Sequence, residues 1–183
     1  MREKIYLDAN SLLSDSFLLA RQILDSGFTP ECIIALWRGG TPVGIAVQEF
    51  LHYKGNKCWH TAVRTASYTG IAERGKVSIE NLDPILDRIT PDTKVLVVDD
   101  IFDTGRTALA IKNELASRTN HAKIATLYYK PSSNEVGFKP DFYVKATDSW
   151  LVFPHEFIGL HPEEIKEKSP QLHALLGLDK GIA

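Results

Sequence analysis

The chain has 183 residues, 44% of them hydrophobic and 24% charged, and its formal net charge is −2. These values fit one globular domain with a substantial core and give no overall electrostatic case for a nucleic-acid partner. No apolar run approaches the roughly 20 residues of a membrane helix. Cys32 and Cys58 are expected as free thiols, and a mixed-charge opening segment unlike a secretory signal makes a cytoplasmic location the expectation.

Asn10 and Ser11 are candidate helix caps, after which Leu13, Phe17, Ala20 and Leu24 recur on one helical face. Gly27 and Pro30 close that helix. Cys32 to Leu36 reads as a buried strand, ending in Trp37-Arg38-Gly39-Gly40-Thr41-Pro42 before a helix that carries Val43, Val47, Phe50 and Leu51. An arginine and two glycines at a strand end can hold an anion through backbone N–H groups, although Gly-Gly is also ordinary turn chemistry. Trp37 reads as a core residue. A third strand runs from about Trp59 to Arg64, and residues 65–76 form a polar, glycine-bearing loop, either a lid or a disordered connection. A short helix follows from Asp83 to Ile89, with Pro91-Asp92 as the turn after it.

Val95 to Thr107 is the most informative stretch. Val95 to Val98 is a short β-branched run expected as a strand buried on both faces. Asp99 and Asp100 stand where it ends, and Asp103-Thr104-Gly105-Arg106-Thr107 turns into a helix running from Ala108 to about Arg118. A helix start presents unpaired N–H groups and partial positive charge, Gly105 permits a close backbone approach, and Thr104 and Thr107 add hydroxyls. That describes a cradle for a phosphate monoester without the spacing of a Walker loop. The acidic pair suits a neighbouring cis-diol or a hard cation such as Mg²⁺. Together they describe a site for a ribose 5-phosphate. Ile124 to Tyr129 is a further strand, with Lys130 at its end on the rim where open α/β sheets bind ligands; a lone lysine there is otherwise a surface charge. Phe142-Tyr143-Val144 and Asp148 to Phe153 are expected as two short extended pieces of a hood, and the tail from His161 as one or two short helices.

The run Asp99-Asp100-x-x-Asp103-Thr104-Gly105-x-Thr107 after an apolar strand resembles the signature of the type I phosphoribosyltransferases, which use phosphoribosyl pyrophosphate (PRPP). The resemblance implies an α/β fold, a central and mostly parallel sheet flanked by helices with a small hood. It covers about residues 10–157, within a transferase domain expected at residues 1–160 with the hood at about 140–157; the helical tail at 161–183 lies outside the resemblance and is expected to pack on the domain or on a partner subunit. By the same resemblance Arg38 and Gly39 contact pyrophosphate, across a Trp37–Arg38 peptide expected as cis. Ser67 and Tyr68 belong to a closing loop, and Asp99, Asp100, Thr104, Gly105, Arg106 and Thr107 hold PRPP. Asp103 is the expected general base, and Mg²⁺ is expected near Asp99, Asp100 and Glu156. Lys130 followed by Asp148-Ser149-Trp150-Leu151 resembles the 6-oxopurine branch, with Lys130 donating to O6 and Trp150 and Leu151 binding the base. The implied activity is purine salvage: PRPP and hypoxanthine, guanine or xanthine give the nucleoside 5′-monophosphate and pyrophosphate, in a homo-oligomeric enzyme (dimer or tetramer) without nucleic-acid or membrane partners. A PRPP-sensing regulator, or a transferase for another base, stays open as an alternative.

Overall fold

The computed structural model describes residues 4–67 and 77–178. In chain order the first elements are β1 (Lys4–Tyr6), α1 (Ala9–Asp25), β2 (Cys32–Trp37), α2 (Gly40–Tyr53), β3 (Trp59–Ser67), β4 (Val77–Glu80) and α3 (Asp83–Leu86). Then come β5 (Val95–Phe102), α4 (Arg106–Ala116), β6 (Ala122–Tyr129), β7 (Phe142–Ala146), β8 (Trp150–Val152), α5 (Pro162–Lys168) and α6 (Pro170–Leu175). They form two compact units, Asn10–Asp148 and a smaller one made of Met1–Ala9 with Ser149–Ala183.

The larger unit is built on a six-stranded sheet in the order β4-β3-β2-β5-β6-β7. Every neighbouring pair is parallel except β3 with β4. The centre is apolar because both faces are covered. Cys32, Ile34, Leu36, Val95, Val97 and Ile124 join Ile111 and Leu115 of α4 and Ile85 and Leu86 of α3 in one buried cluster. The alternate residues of the same strands, Ile33, Leu96 and Val98, are as deeply buried and point to the opposite face, where α2 packs along β2 and β5.

Sequence and structure part at several points. The buried stripe of α1 is Ser16, Leu19, Ala20 and Ile23, whereas Leu13 and Phe17 of the expected stripe are exposed. Both stripes satisfy helical spacing, so periodicity alone did not separate them. Residues Thr65 to Ser67, expected in a loop, extend β3, because β4 pairs with them in the register Thr65↔Ile79 and Ser67↔Val77. Phe142–Ala146, expected as hood, is the sixth strand of the main sheet, hydrogen-bonded parallel to β6. The second extended piece does leave that sheet: β8 pairs parallel with β1, with Lys4 opposite Trp150 and Tyr6 opposite Val152.

In the smaller unit, β1 and the tail are tied by an ion pair between Lys4 and Glu164. Glu164 also accepts the His161 N–H in a capping box at the start of α5. Lys168 at the end of α5 donates to the carbonyl oxygens of Phe153, at 2.6 Å, and of Glu156. No helix among the described residues is long and apolar enough to cross a membrane.

Candidate active site

The site of the larger unit lies where β2 and β5 diverge. Their pairing stops at Ala35↔Val98, but β5 continues to Phe102 against β6, with Asp99 opposite Thr126 and Phe102 opposite Tyr129. Asp99 and Asp100 therefore sit inside a strand that is paired on one side only, rather than beyond its end. The chain leaving β2 passes directly over that gap through a cis Trp37–Arg38 peptide.

Close packing explains the two glycines of that passage. A Cβ on Gly39 would stand 2.0 Å from Asp100 Oδ2, and one on Gly40 would stand 2.3 Å from the Val98 carbonyl oxygen. Gly39 thus brings the Arg38 loop against the Asp100 carboxylate. Trp37, expected in the core, is 53% exposed, because the β2 residue at the rim has no layer above it.

The turn after β5 forms the other wall. Gly105 has φ +79° and caps α4; a Cβ there would meet the Phe102 ring at 2.6 Å and Val136 at 2.5 Å. The N-cap Gly105 offers no side chain, and the Arg106 N–H makes only a long 3.4 Å bond to Thr104 Oγ1, so the start of α4 keeps the anion-binding character of a helix N-terminus. Asp99, Asp103, Thr104, Gly105 and Thr107 line a cleft of ≈ 200 Å³, floored by Leu36, Val97 and Ile124. Asp103 faces a cation: Lys130 Nζ stands 3.1 Å from its Oδ2. Lys130 is delivered by β6, and its backbone N–H bonds the Phe102 carbonyl at 2.9 Å.

The acidic pair is electrostatically loaded. Burial, then the neighbouring Asp100 charge, hold the Asp99 carboxyl well above the usual carboxylate range, and the N–H groups of Asp100 and Gly40 offset part of this. Asp99 lines the cleft and the buried Asp100 carboxylate lies against Gly39; a hard divalent cation beside such a crowded pair would relieve it, with water and substrate oxygens completing its shell. Among the described residues there is no cluster of three or more His, Cys, Asp or Glu that would hold a metal alone. Glu156 belongs to the smaller unit, where its carboxylate accepts the Phe153 N–H at 3.1 Å.

Arg106 does not line the cleft; its guanidinium is held by Glu135. The Arg38 side chain is exposed. Tyr68 lies outside the described residues, as does the Ser67 side chain. In the smaller unit Trp150 is 55% exposed and Leu151 is buried. Sequence reasoning missed the segment after β6. Asn134 donates to Tyr129 Oη and to the Phe138 carbonyl and accepts the Val136 N–H, and the Glu135 N–H bonds the Thr104 carbonyl at 3.0 Å. In sequence this segment is a polar connection; only the Asn-Glu-Val-Gly run hints at a structured turn.

Comparison with known proteins agrees with this geometry. Residues 4–158 match the phosphoribosyl transferase domain. A xanthine-guanine phosphoribosyltransferase of Desulfotalea psychrophila is 33% identical over 150 residues, covering 79% of this chain and 81% of that protein. A hypoxanthine-guanine phosphoribosyltransferase of Lactococcus lactis is 38% identical over 84 residues, which span only 43% of its length. Among solved structures, a purine phosphoribosyltransferase from Pyrococcus horikoshii superimposes with a TM-score of 0.71 at 28% identity, covering 86% of this chain and 97% of that one. With the signature at Asp99–Thr107 lining a cleft at the end of a parallel strand, and with that domain matching residues 4–158, the chain belongs to the phosphoribosyl transferase family.

Proposed function

We propose that this protein transfers the phosphoribosyl group of PRPP to a 6-oxopurine, releasing pyrophosphate. The observation that carries the reading is the Lys130–Asp103 pair, 3.1 Å apart beside the phosphate turn. A 6-oxopurine offers two neighbouring groups on one edge, an acceptor at O6 and a position at N7 that carries or sheds a proton. A donor and a carboxylate set side by side match that edge. On binding, O6 replaces Asp103 at the ammonium and N7–H replaces Lys130 at the carboxylate. Adenine would put an amino donor against the Lys130 donor and leave the lysine without an acceptor, a strong basis for rejection.

The N–H groups of the Asp103–Thr107 turn and the Thr104 and Thr107 hydroxyls would hold the 5-phosphate. Asp99 and Asp100 would take the ribose hydroxyls. Arg38 and Gly39, whose backbone already abuts Asp100, would take the pyrophosphate. Asp99 and Asp100 are also the residues that would hold Mg²⁺, which when bound supplies charge neutralisation to the leaving pyrophosphate. As C1 of the ribose becomes cationic and N9 bonds to it, Asp103 receives the N7 proton and opposes the positive charge built on the base. Trp150 and Leu151 of the smaller unit are assigned to the base, supported by the resemblance and by the exposed indole that stacking requires. The same resemblance supports Glu156 near the metal, a homo-oligomer, and a cytoplasmic setting.

A pyrophosphate-release assay with Mg²⁺, PRPP and, separately, hypoxanthine, guanine, xanthine, adenine and orotate tests the proposal. Release that depends on one or more 6-oxopurines is the expected result. Release with adenine or orotate alone overturns the assignment of Lys130, and PRPP binding without release from any base points to a PRPP-responsive regulator.

A further inference from the structure

Arg106 opens α4 one residue after Gly105, within the turn that cradles the phosphate. A free guanidinium there would be a strong additional phosphate ligand, since it brings planar donors and a permanent charge. In the structure it is turned to a carboxylate instead: Nε lies 2.7 Å and Nη2 2.6 Å from Glu135 Oε2.

Glu135 is not an incidental surface partner. Its own N–H bonds the Thr104 carbonyl, so its backbone is fastened to the phosphate turn itself. The adjacent Val136 fills the space beside Gly105, and Asn134 closes the segment with three hydrogen bonds. The start of the segment is held as well, by Asp148, which accepts from the Ser132 N–H at 3.0 Å and its hydroxyl at 2.8 Å. The carboxylate is therefore presented at a fixed place next to the cradle. The Arg106 and Glu135 side chains are each about half exposed, at 49% and 48%, and an exposed pair of this kind adds little to fold stability. Its consequence is where the guanidinium sits.

We propose that Glu135 is a positioning residue that withholds Arg106 from the 5-phosphate and so keeps sugar-phosphate affinity low enough for the nucleotide product to leave. This rests on reading the Asp103–Thr107 turn as the 5-phosphate cradle. A dianionic phosphate and Glu135 compete for one guanidinium, and Glu135 competes from within the fold.

The test is calorimetric titration of the full chain with ribose 5-phosphate, a probe that carries the 5-phosphate and hydroxyls but no base. Glu135→Gln is expected to bind it about three- to tenfold more tightly, a gain that fades at high salt. In an Arg106→Gln background the same substitution is expected to change binding less than about twofold, because no guanidinium is left to release. In steady-state kinetics Glu135→Gln lowers KM for PRPP and kcat together, since the nucleotide dissociates more slowly. Unchanged or weaker binding in Glu135→Gln, or equal tightening in both backgrounds, overturns the proposal. Absence of ribose 5-phosphate binding to the unsubstituted protein overturns the cradle reading instead. Circular dichroism and the melting temperature of each variant separate either result from misfolding.

Discussion

Asp103 and Lys130 each satisfy the other before any substrate arrives, which makes their substitutions distinguishable. Asp103→Asn keeps the shape of the turn and a group able to accept from Lys130, but removes the proposed base. Turnover is expected to fall about 10²–10⁴-fold while PRPP affinity, measured by calorimetry, stays within about threefold. Loss of PRPP binding in parallel with turnover would make Asp103 a structural turn residue. At Gly105 the backbone has φ +79° and the missing Cβ is replaced by Phe102 and Val136. Gly105→Ala combines a left-handed conformation worth about 1–2 kcal/mol against an L residue with overpacking of about 1–3 kcal/mol. Chemical denaturation should show a loss of at least ~2 kcal/mol, together with a weaker grip on ribose 5-phosphate. A variant as stable as the parent would show that the turn relaxes without cost.

At the scale of elements, the strands buried on both faces were legible because β-branched runs such as Cys32–Leu36 and Val95–Val98 announce them. The signature was legible because its carboxylates, glycine and threonines occupy fixed places on one strand and turn. What escaped were the pieces whose state is set by a partner. β4 is four residues, VSIE, and becomes a strand only against β3. β1 is KIY and depends on β8, and Phe142–Ala146 takes its place from β6. Short strands carry too few residues for alternation to speak, and pairing decides them. The segment from Lys130 to Phe138 escaped for the same reason: its fastening to the Asp103–Thr107 turn runs through the Thr104 carbonyl, which no side-chain pattern reveals. Strand β2 also carries a chemical prediction. Cys32 is fully buried, and burial, with a smaller contribution from Cys58, pushes its thiol up to about 12. A raised folded value means stability that is complete below the unfolded thiol's range near pH 8.5 and is lost as pH climbs toward 12. In the native protein Cys58 should react with a thiol reagent while Cys32 stays silent until denaturant is added. Equal rates for both thiols at neutral pH would show that β2 opens locally.

For the whole molecule, the position of the site follows from topology more than from any one residue. The parallel sheet delivers the ends of β2, β5 and β6 to one rim, and each strand end carries a different chemistry: glycine backbone and Arg38, the acidic pair with the Asp103–Thr107 turn, and Lys130. Those groups are distant in sequence, so ligands that engage several of them must stabilise the fold as a unit. At a free concentration 100 times its Kd, PRPP with Mg²⁺ should add about 2.7 kcal/mol to the unfolding free energy, which for a chain of this size raises the melting temperature by roughly 5–10 °C. Excess EDTA should remove most of that gain if Asp99 and Asp100 hold Mg²⁺ as proposed, because without the cation the charge of the pyrophosphate and of the two carboxylates is left unneutralised. Hypoxanthine alone should give a much smaller shift, since it must first open the Lys130–Asp103 pair without the PRPP contacts to offset the loss. Differential scanning calorimetry of these three conditions against the unliganded protein decides it. A PRPP shift indifferent to EDTA would remove the metal from the acidic corner. A shift with hypoxanthine as large as with PRPP would mean that the ion pair does not guard the base site.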